Sequence, residues 1–321
     1  MRDILSNNKI NLVFYTQFLF FIFVSTLSLF VFFNNSNLFD QLNFNVFCFI
    51  LIATIGVSHG AIDHKKGEYI LNKMNYKNYL FLFYLAYLFF FFLVLFFWSK
   101  FSLISLVIFF IISSFHFGGE DTTIFLKQPT KLENLFYFAR GSIIIASSFY
   151  LNFNETYQFI QNLLFENSNT LFHEINWIYI YWINFIFLFT LLTILLVQKK
   201  ISITSSIIIF IEVIFIALNF YFLPLLLAFT LYFCFMHSTK HIMSLSYELD
   251  HENPIHGLKK FLVMSFPLTL ITFTSALIML FYLGNNFSLS SSIIKIIFIG
   301  LASLTLPHII LGLVYDKYKK Y

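Results

Sequence analysis

The stretch Tyr79-Leu-Phe-Leu-Phe-Tyr-Leu-Ala-Tyr-Leu-Phe-Phe-Phe-Phe-Leu-Val-Leu-Phe-Phe-Trp98 carries no charged residue and stops at Ser99-Lys100. The hydrocarbon core of a bilayer calls for about 20 apolar residues in one helix, so this run decides the solvent in which the chain folds. Runs of similar length lie near 11–33, 44–62, 101–118, 134–151, 177–197, 201–222, 224–243, 258–283 and 292–314, so about ten membrane spans are expected. Composition agrees: of 321 residues, 59% are hydrophobic and 11% charged, with a mean hydropathy of +0.83. Soluble domains carry about twice that share of charge. The expected fold is all-α and polytopic, one integral-membrane helical domain over residues 1–321, without a soluble domain, repeat or long linker.

Short turns at Ser99-Lys100, Gln198 to Lys200 and Leu223-Pro224 make antiparallel hairpins of the flanking spans. Cytoplasmic loops carry the excess of Lys and Arg. With ten spans, Arg2, Lys9, Lys65, Lys66, Lys73, Lys77, Lys127, Lys131, Lys199, Lys200, Lys259, Lys260, Lys317, Lys319 and Lys320 fall on one side, against Lys100 on the other. Both termini are therefore expected to be cytoplasmic, and the chain to sit in the cytoplasmic (inner) membrane. The exterior connection from Leu151 to Asn176 has no Lys or Arg but holds Glu155, Glu166, His173 and Glu174. Its weakly amphipathic part, Thr156 to Phe165, is expected to lie along the outer interface.

Several function classes drop out. The net charge of +4 is spread over short loops, which fits topology rather than nucleic-acid binding. Cys48 and Cys234 sit in apolar runs without metal or disulfide spacing. The run 11–33 is long for a signal-peptide core and lacks a small-residue cleavage site, so it reads as a retained span.

Against this background the nine histidines stand out. At 1.5 Å rise per residue, His59, His116, His237, His241 and His308 all lie roughly 20–25 Å below the outer ends of their spans, in one layer. The spacing of His237 and His241 puts both on one helix face, where they can reach one ion. Neutral imidazole suits iron, copper, zinc or nickel, so His59, His116, His237 and His241 form a candidate redox-metal site. His308 is a reserve ligand, because Pro307 before it kinks the helix and a packing role is equally open. A single membrane histidine is more often an interhelical hydrogen bonder; shared depth is what sets this group apart. His64, His173, His251 and His256 are expected to be solvated or structural.

Other intramembrane polar groups bear on the site. Glu212 lies within roughly 5 Å in depth of His237 and either accepts a ring N–H from a ligand histidine or bonds a neighbouring helix. Arg140 pairs with Asp121 or Glu120 or reaches the surface, and Lys240 and Lys295 are close enough to helix ends to snorkel. Gly118-Gly119 and Gly56/Gly60 are expected to allow close helix approach. Phe115, Phe117, Tyr232, Phe233 and Phe235 flank the candidate ligands and are candidate walls of an apolar tunnel.

The set His59-Gly-Ala-Ile-Asp63-His64, Phe115-His116-Phe-Gly118-Gly-Glu-Asp121, His237-xxx-His241 and Pro307-His308 resembles the Brp/Blh family of bacterial and archaeal membrane β-carotene 15,15′-dioxygenases. The resemblance runs from the second span to the last. It implies a non-haem Fe(II) centre on His59, His116, His237 and His241, with no catalytic side chain beyond the ligands. It also implies cleavage of the central 15,15′ double bond of β-carotene with O₂ to two retinal molecules, and a functional link to a retinal-binding rhodopsin. A carotenoid dissolves in the bilayer, so such an enzyme admits its substrate laterally between helices. The competing readings are a di-iron fatty-acid desaturase or hydroxylase, a transporter or proton relay using the histidines with Glu212 and Arg140, and a structural or rhodopsin-assembly role.

Overall fold

The computed structural model describes residues 8–34, 41–76, 78–126, 131–165 and 171–319. Its elements are helices α1 (Asn8–Asn34), α2 (Gln41–Leu51), α3 (Asp63–Lys73), α4 (Tyr79–Lys100), α5 (Ser102–Thr122), α6 (Glu133–Leu151), α7 (Phe153–Leu163), α8 (Leu171–Glu174), α9 (Trp177–Val197), α10 (Ile203–Phe222), α11 (Leu225–Tyr232), α12 (Thr239–Leu249), α13 (Pro254–Gly284) and α14 (Leu289–Lys319). Two π-helical turns, Ile52–Gly56 and Phe233–Ser238, extend α2 and join α11 to α12. No strand occurs among the described residues. The chain is an all-α, multi-pass membrane protein.

Helices prevail because hydrocarbon offers backbone groups no partner outside the segment itself. Hydroxyls inside the helices follow the same rule and turn back on their own backbone. Thr26 donates to the Ile22 carbonyl, Thr190 to Ile186 and Thr230 to Leu226. Helix starts are capped where loops surface: Ser202 accepts the Ser205 N–H at 3.0 Å, and Asn253 accepts that of His256 ahead of Pro254.

Seven helices are long and apolar enough to cross a membrane: Val13–Asn34, Leu80–Lys100, Ser102–Phe125, Trp177–Val197, Ile203–Phe222, Pro254–Gly284 and Leu289–Tyr315. The other three expected spans fall outside this set. The second is the short apolar helix Phe44–Gly56 followed by turns, α6 holds Arg140, and α11 to α12 is interrupted by the π turn. Each of the three carries polar residues of the site described below. The solvent pattern is inverted relative to a soluble protein: Phe81, Ile183, Val263 and Phe281 face outward, while Asp63, Asp121, Arg140, Glu212 and Lys240 are buried.

Glycine sets the closest helix crossing. A Cβ on Gly118 of α5 would lie 1.8 Å from the Tyr137 carbonyl oxygen of α6, and one on Gly141 would lie 1.9 Å from that of Ser114. Gly257 of α13 meets the Ser246 carbonyl of α12 in the same way. Of the glycines singled out in the sequence, Gly118 and Gly56 are sites of close approach, whereas Gly119 and Gly60 make only ordinary contacts.

Two elements depart from the sequence reading. Asp63–Lys73 is a helix, α3, packed on α4 and α14; Lys73 donates to the Tyr318 carbonyl, so α3 and the end of α14 share one end of the bundle. The stretch expected at the outer interface is α7. Its apolar face is taken by protein, with Ile160 and Leu163 buried in a cluster with Trp98, Leu106 and Phe149. Arg2, Lys77, Lys127, Lys320 and Glu166 lie outside the described residues.

The intramembrane cations do not snorkel. Arg140 and Lys240 are buried in the bundle, and Lys295 is held by the Asn162 carbonyl and lies over the rings of Phe165 and Phe287. Each finds internal acceptors or ring faces, which removes the need to reach water.

Candidate metal centre

The π turns bring the site together. A π turn widens the helix by one residue and frees carbonyls from the regular ladder, and it recurs at functional sites. The first turn ends at Gly56, three residues before His59; the second contains His237. They meet where Ser238 Oγ donates to the Gly56 carbonyl at 3.0 Å. A Cβ on Gly56 would lie 2.6 Å from the Phe233 ring, so glycine permits the contact. Gln17 of α1 braces the second turn, its side-chain amide donating to the carbonyls of Phe235 and Met236 at 3.2 Å each. Nothing in the sequence marked Gln17.

Five imidazoles converge here. The His59 ring centroid lies 5.4 Å from those of His237 and His241 and 5.5 Å from that of His308. His116 lies 5.3 Å from His237 and 5.2 Å from His308. His59, His116 and His308 each offer one nitrogen, and these nitrogens lie within 4.8 Å of one another. His59, His237, His241 and His308 are buried; His116 is half-buried.

Four of the rings are held at Nδ1. His59 Nδ1 donates to the Gly56 carbonyl at 2.6 Å, His237 to Asp121 Oδ1 at 3.0 Å, His241 to Glu120 Oε2 at 2.8 Å and His308 to Asp63 Oδ2 at 2.6 Å. This fixes the tautomer and turns Nε2 inward, which is how metal-binding histidines are oriented. The Nε2 atoms of His237 and His241 are buried without a hydrogen-bond partner. Leaving such an acceptor unmade costs about 1–3 kcal/mol, which a metal ion would recover.

A charge network lies behind the histidines. Asp121 Oδ2 accepts the Tyr232 hydroxyl at 3.0 Å and faces Arg140 Nη2 at 3.7 Å. Arg140 also meets Glu212 Oε2 at 3.3 Å; Lys240 Nζ donates to Glu212 Oε1 at 2.8 Å and to the Asp121 carbonyl at 3.2 Å. Glu212 therefore touches no histidine in the structure. Its side chain faces the two cations, and the carboxylates on the rings are Asp63, Glu120 and Asp121. Lys66 lies 3.9 Å from Asp63. Four carboxylates, Asp63, Glu120, Asp121 and Glu212, stand against three cations, Lys66, Arg140 and Lys240, so with neutral rings the surroundings favour a positively charged guest. Donor set, orientation and charge all fit a metal ion.

Aromatic side chains seal part of the centre. The Phe117 ring is 4.8 Å from His237, and Phe233 stacks on His237 at 5.8 Å and meets His59 edge-on. Tyr232 is committed to Asp121. Phe115 is exposed and pairs with Phe138, and Phe235 turns to Phe20, so these two do not wall the histidines. His64, His173, His251 and His256 lie apart: His64 bonds the Ala61 carbonyl, His173 meets Tyr157 edge-on, His251 meets Tyr247 edge-on, and His256 bonds Asp250.

Comparison with known proteins gives an independent line. The family model described as beta-carotene 15,15′-dioxygenase matches residues 50–316, which include all five clustered histidines. A beta-carotene 15,15′-dioxygenase from an uncultured marine bacterium, 66A03, is 29% identical over 264 residues, covering 81% of this chain and 90% of that protein. No solved structure matches.

Proposed function

The chain belongs to the β-carotene 15,15′-dioxygenase family, and on that premise we propose that it cleaves the central double bond of β-carotene with O₂ to give two retinal molecules. We place Fe(II) at the histidine cluster, with His59, His116, His237 and His241 as ligands. The observation that carries this is the inward set of imidazole nitrogens in a layer buried among membrane helices, with Nδ1 of His59, His237 and His241 fixed by oxygen acceptors. Iron so held would supply the redox chemistry with O₂ that no side chain here provides.

The chain's own contribution is to orient and exclude. Asp121 and Glu120 keep the protons of His237 and His241 at Nδ1, so Nε2 stays a lone-pair donor. Phe117 and Phe233 keep water from the cluster. His116, half-buried next to exposed Phe115, marks the side open to lipid, where a hydrocarbon substrate can approach without crossing water. Regioselectivity then depends on how far an ionone ring passes before the central bond reaches the cluster. In this reading the protein sits in the cytoplasmic membrane, with about ten spans and both termini inside, and retinal passes to a retinal-binding rhodopsin in the same membrane.

The test is pigment analysis in β-carotene-producing bacteria expressing the chain or its His237→Ala variant. Retinal should replace β-carotene with the wild type alone. Unchanged carotenoid beside well-inserted, iron-loaded protein would redirect the site to another lipid, and iron-free protein would favour the transporter.

A further inference from the structure

We propose that His308, fixed by Asp63, is a metal ligand in its own right, so that the centre takes a nitrogen from the last helix as well as from the four sequence-expected histidines. The inference rests on reading the cluster as a metal centre and adds to that reading.

Three observations carry it. First, the group of nitrogens within 4.8 Å of one another is His59, His116 and His308. Imidazole nitrogens bind at about 2.0–2.1 Å, so three on one ion lie about 3.6 Å apart at most when evenly spaced, and the group needs to close by about 1 Å. Second, His308 Nδ1 donates to Asp63 Oδ2 at 2.6 Å, the carboxylate–histidine arrangement also seen in His237 with Asp121 and His241 with Glu120. Third, its support is built. Asp63 is buried, with the Tyr87 hydroxyl 3.4 Å from both Asp63 Oδ2 and the Leu304 carbonyl. Pro307, which lacks an N–H, loosens the helix at the residue before His308.

The sequence leaves His308 only a reserve ligand. His308 lies 245 residues from Asp63, and the Pro-His pair gave a kink as good an explanation as a bond.

The test uses the full chain purified in detergent without carotenoid, with Co(II) as probe. Affinity is read by titration, and coordination number by the visible absorption per bound ion, which strengthens as ligands are lost. His308→Ala should weaken Co(II) binding at least tenfold and strengthen the band. Asp63→Asn should weaken binding about 10–100-fold with the band unchanged. His59→Ala is the reference for a lost ligand. If His308→Ala binds with wild-type affinity and spectrum while His59→Ala does not, His308 is no ligand, although the metal centre stands. If the wild type binds neither Co(II) nor Fe(II), the metal-centre reading fails and this proposal falls with it. Should His308→Ala not fold, wild-type affinity in Asp63→Asn overturns the proposal.

Discussion

Replacing Gly118 by alanine tests whether the α5–α6 crossing sets the geometry of the centre. The new Cβ would lie 1.8 Å from the Tyr137 carbonyl oxygen and 2.8 Å from the Gly141 nitrogen. Carbon–oxygen contacts settle at about 3.3–3.6 Å, so the two backbones must part by about 1.5 Å, and no side-chain rotation relieves a backbone clash. His116 sits two residues away on α5, so its nitrogen should withdraw from those of His59 and His308. That displacement exceeds the closure of about 1 Å that the nitrogens need to share an ion at about 2.0–2.1 Å bond length. The stability cost should be about 1–3 kcal/mol, with a larger loss of metal binding. Gly119→Ala is the matched control, because its Cβ would meet only the Tyr137 ring edge at 3.6 Å. The assay is melting temperature in detergent together with iron stoichiometry after Fe(II) loading. Equal behaviour of the two alanine variants would refute the reasoning.

Asp121→Asn removes the charge that holds His237 Nδ1 and faces Arg140, so iron affinity should fall about 10–100-fold; unchanged affinity in a metal titration would count against the orienting role. Glu212→Gln leaves Arg140 and Lys240 facing a neutral amide, which should cost about 3–5 kcal/mol in a chemical unfolding curve, and a second change, Lys240→Met, should recover part of it. No recovery would mean the network is not the source of the loss. Outside the membrane spans, the backbone N–H of Asn253, followed by the His256 ring, the Lys260 ammonium and the N–H of Glu252, holds the Asp250 carboxyl down to about 2. With the folded value below the ordinary 3.8, its contribution is present above that value and is lost as pH falls through about 2. Amide hydrogen exchange at Asn253 should therefore quicken relative to distant amides between those limits and stay level above pH 5; protection unchanged at pH 2 would contradict it.

Helix positions were legible because hydrocarbon thickness sets a length that apolar runs must match, and the run 177–197 is the helix Trp177–Val197 itself. The histidine layer was legible too, since depth follows from rise per residue. Direction around each helix was not. Glu212, expected near the depth of His237, faces Arg140 and Lys240, and the partners of the rings, Asp121, Glu120 and Asp63, come from segments 116, 121 and 245 residues away. The π turns were equally hidden, because a one-residue widening at Ile52–Gly56 leaves the apolar pattern intact. Lys240 illustrates the limit of position-based rules: placed near a helix end it was expected to reach water, but Glu212, the Asp121 carbonyl and the Phe125 ring give it partners inside.

The most direct measurement of the central claim is product stoichiometry with purified protein, β-carotene and isotopically labelled O₂, comparing iron-loaded, iron-stripped and His237→Ala samples. The account predicts two labelled retinals per β-carotene consumed in the iron-loaded wild type alone. Unequal apocarotenoid fragments, or retinal formed equally well by His237→Ala, would contradict it.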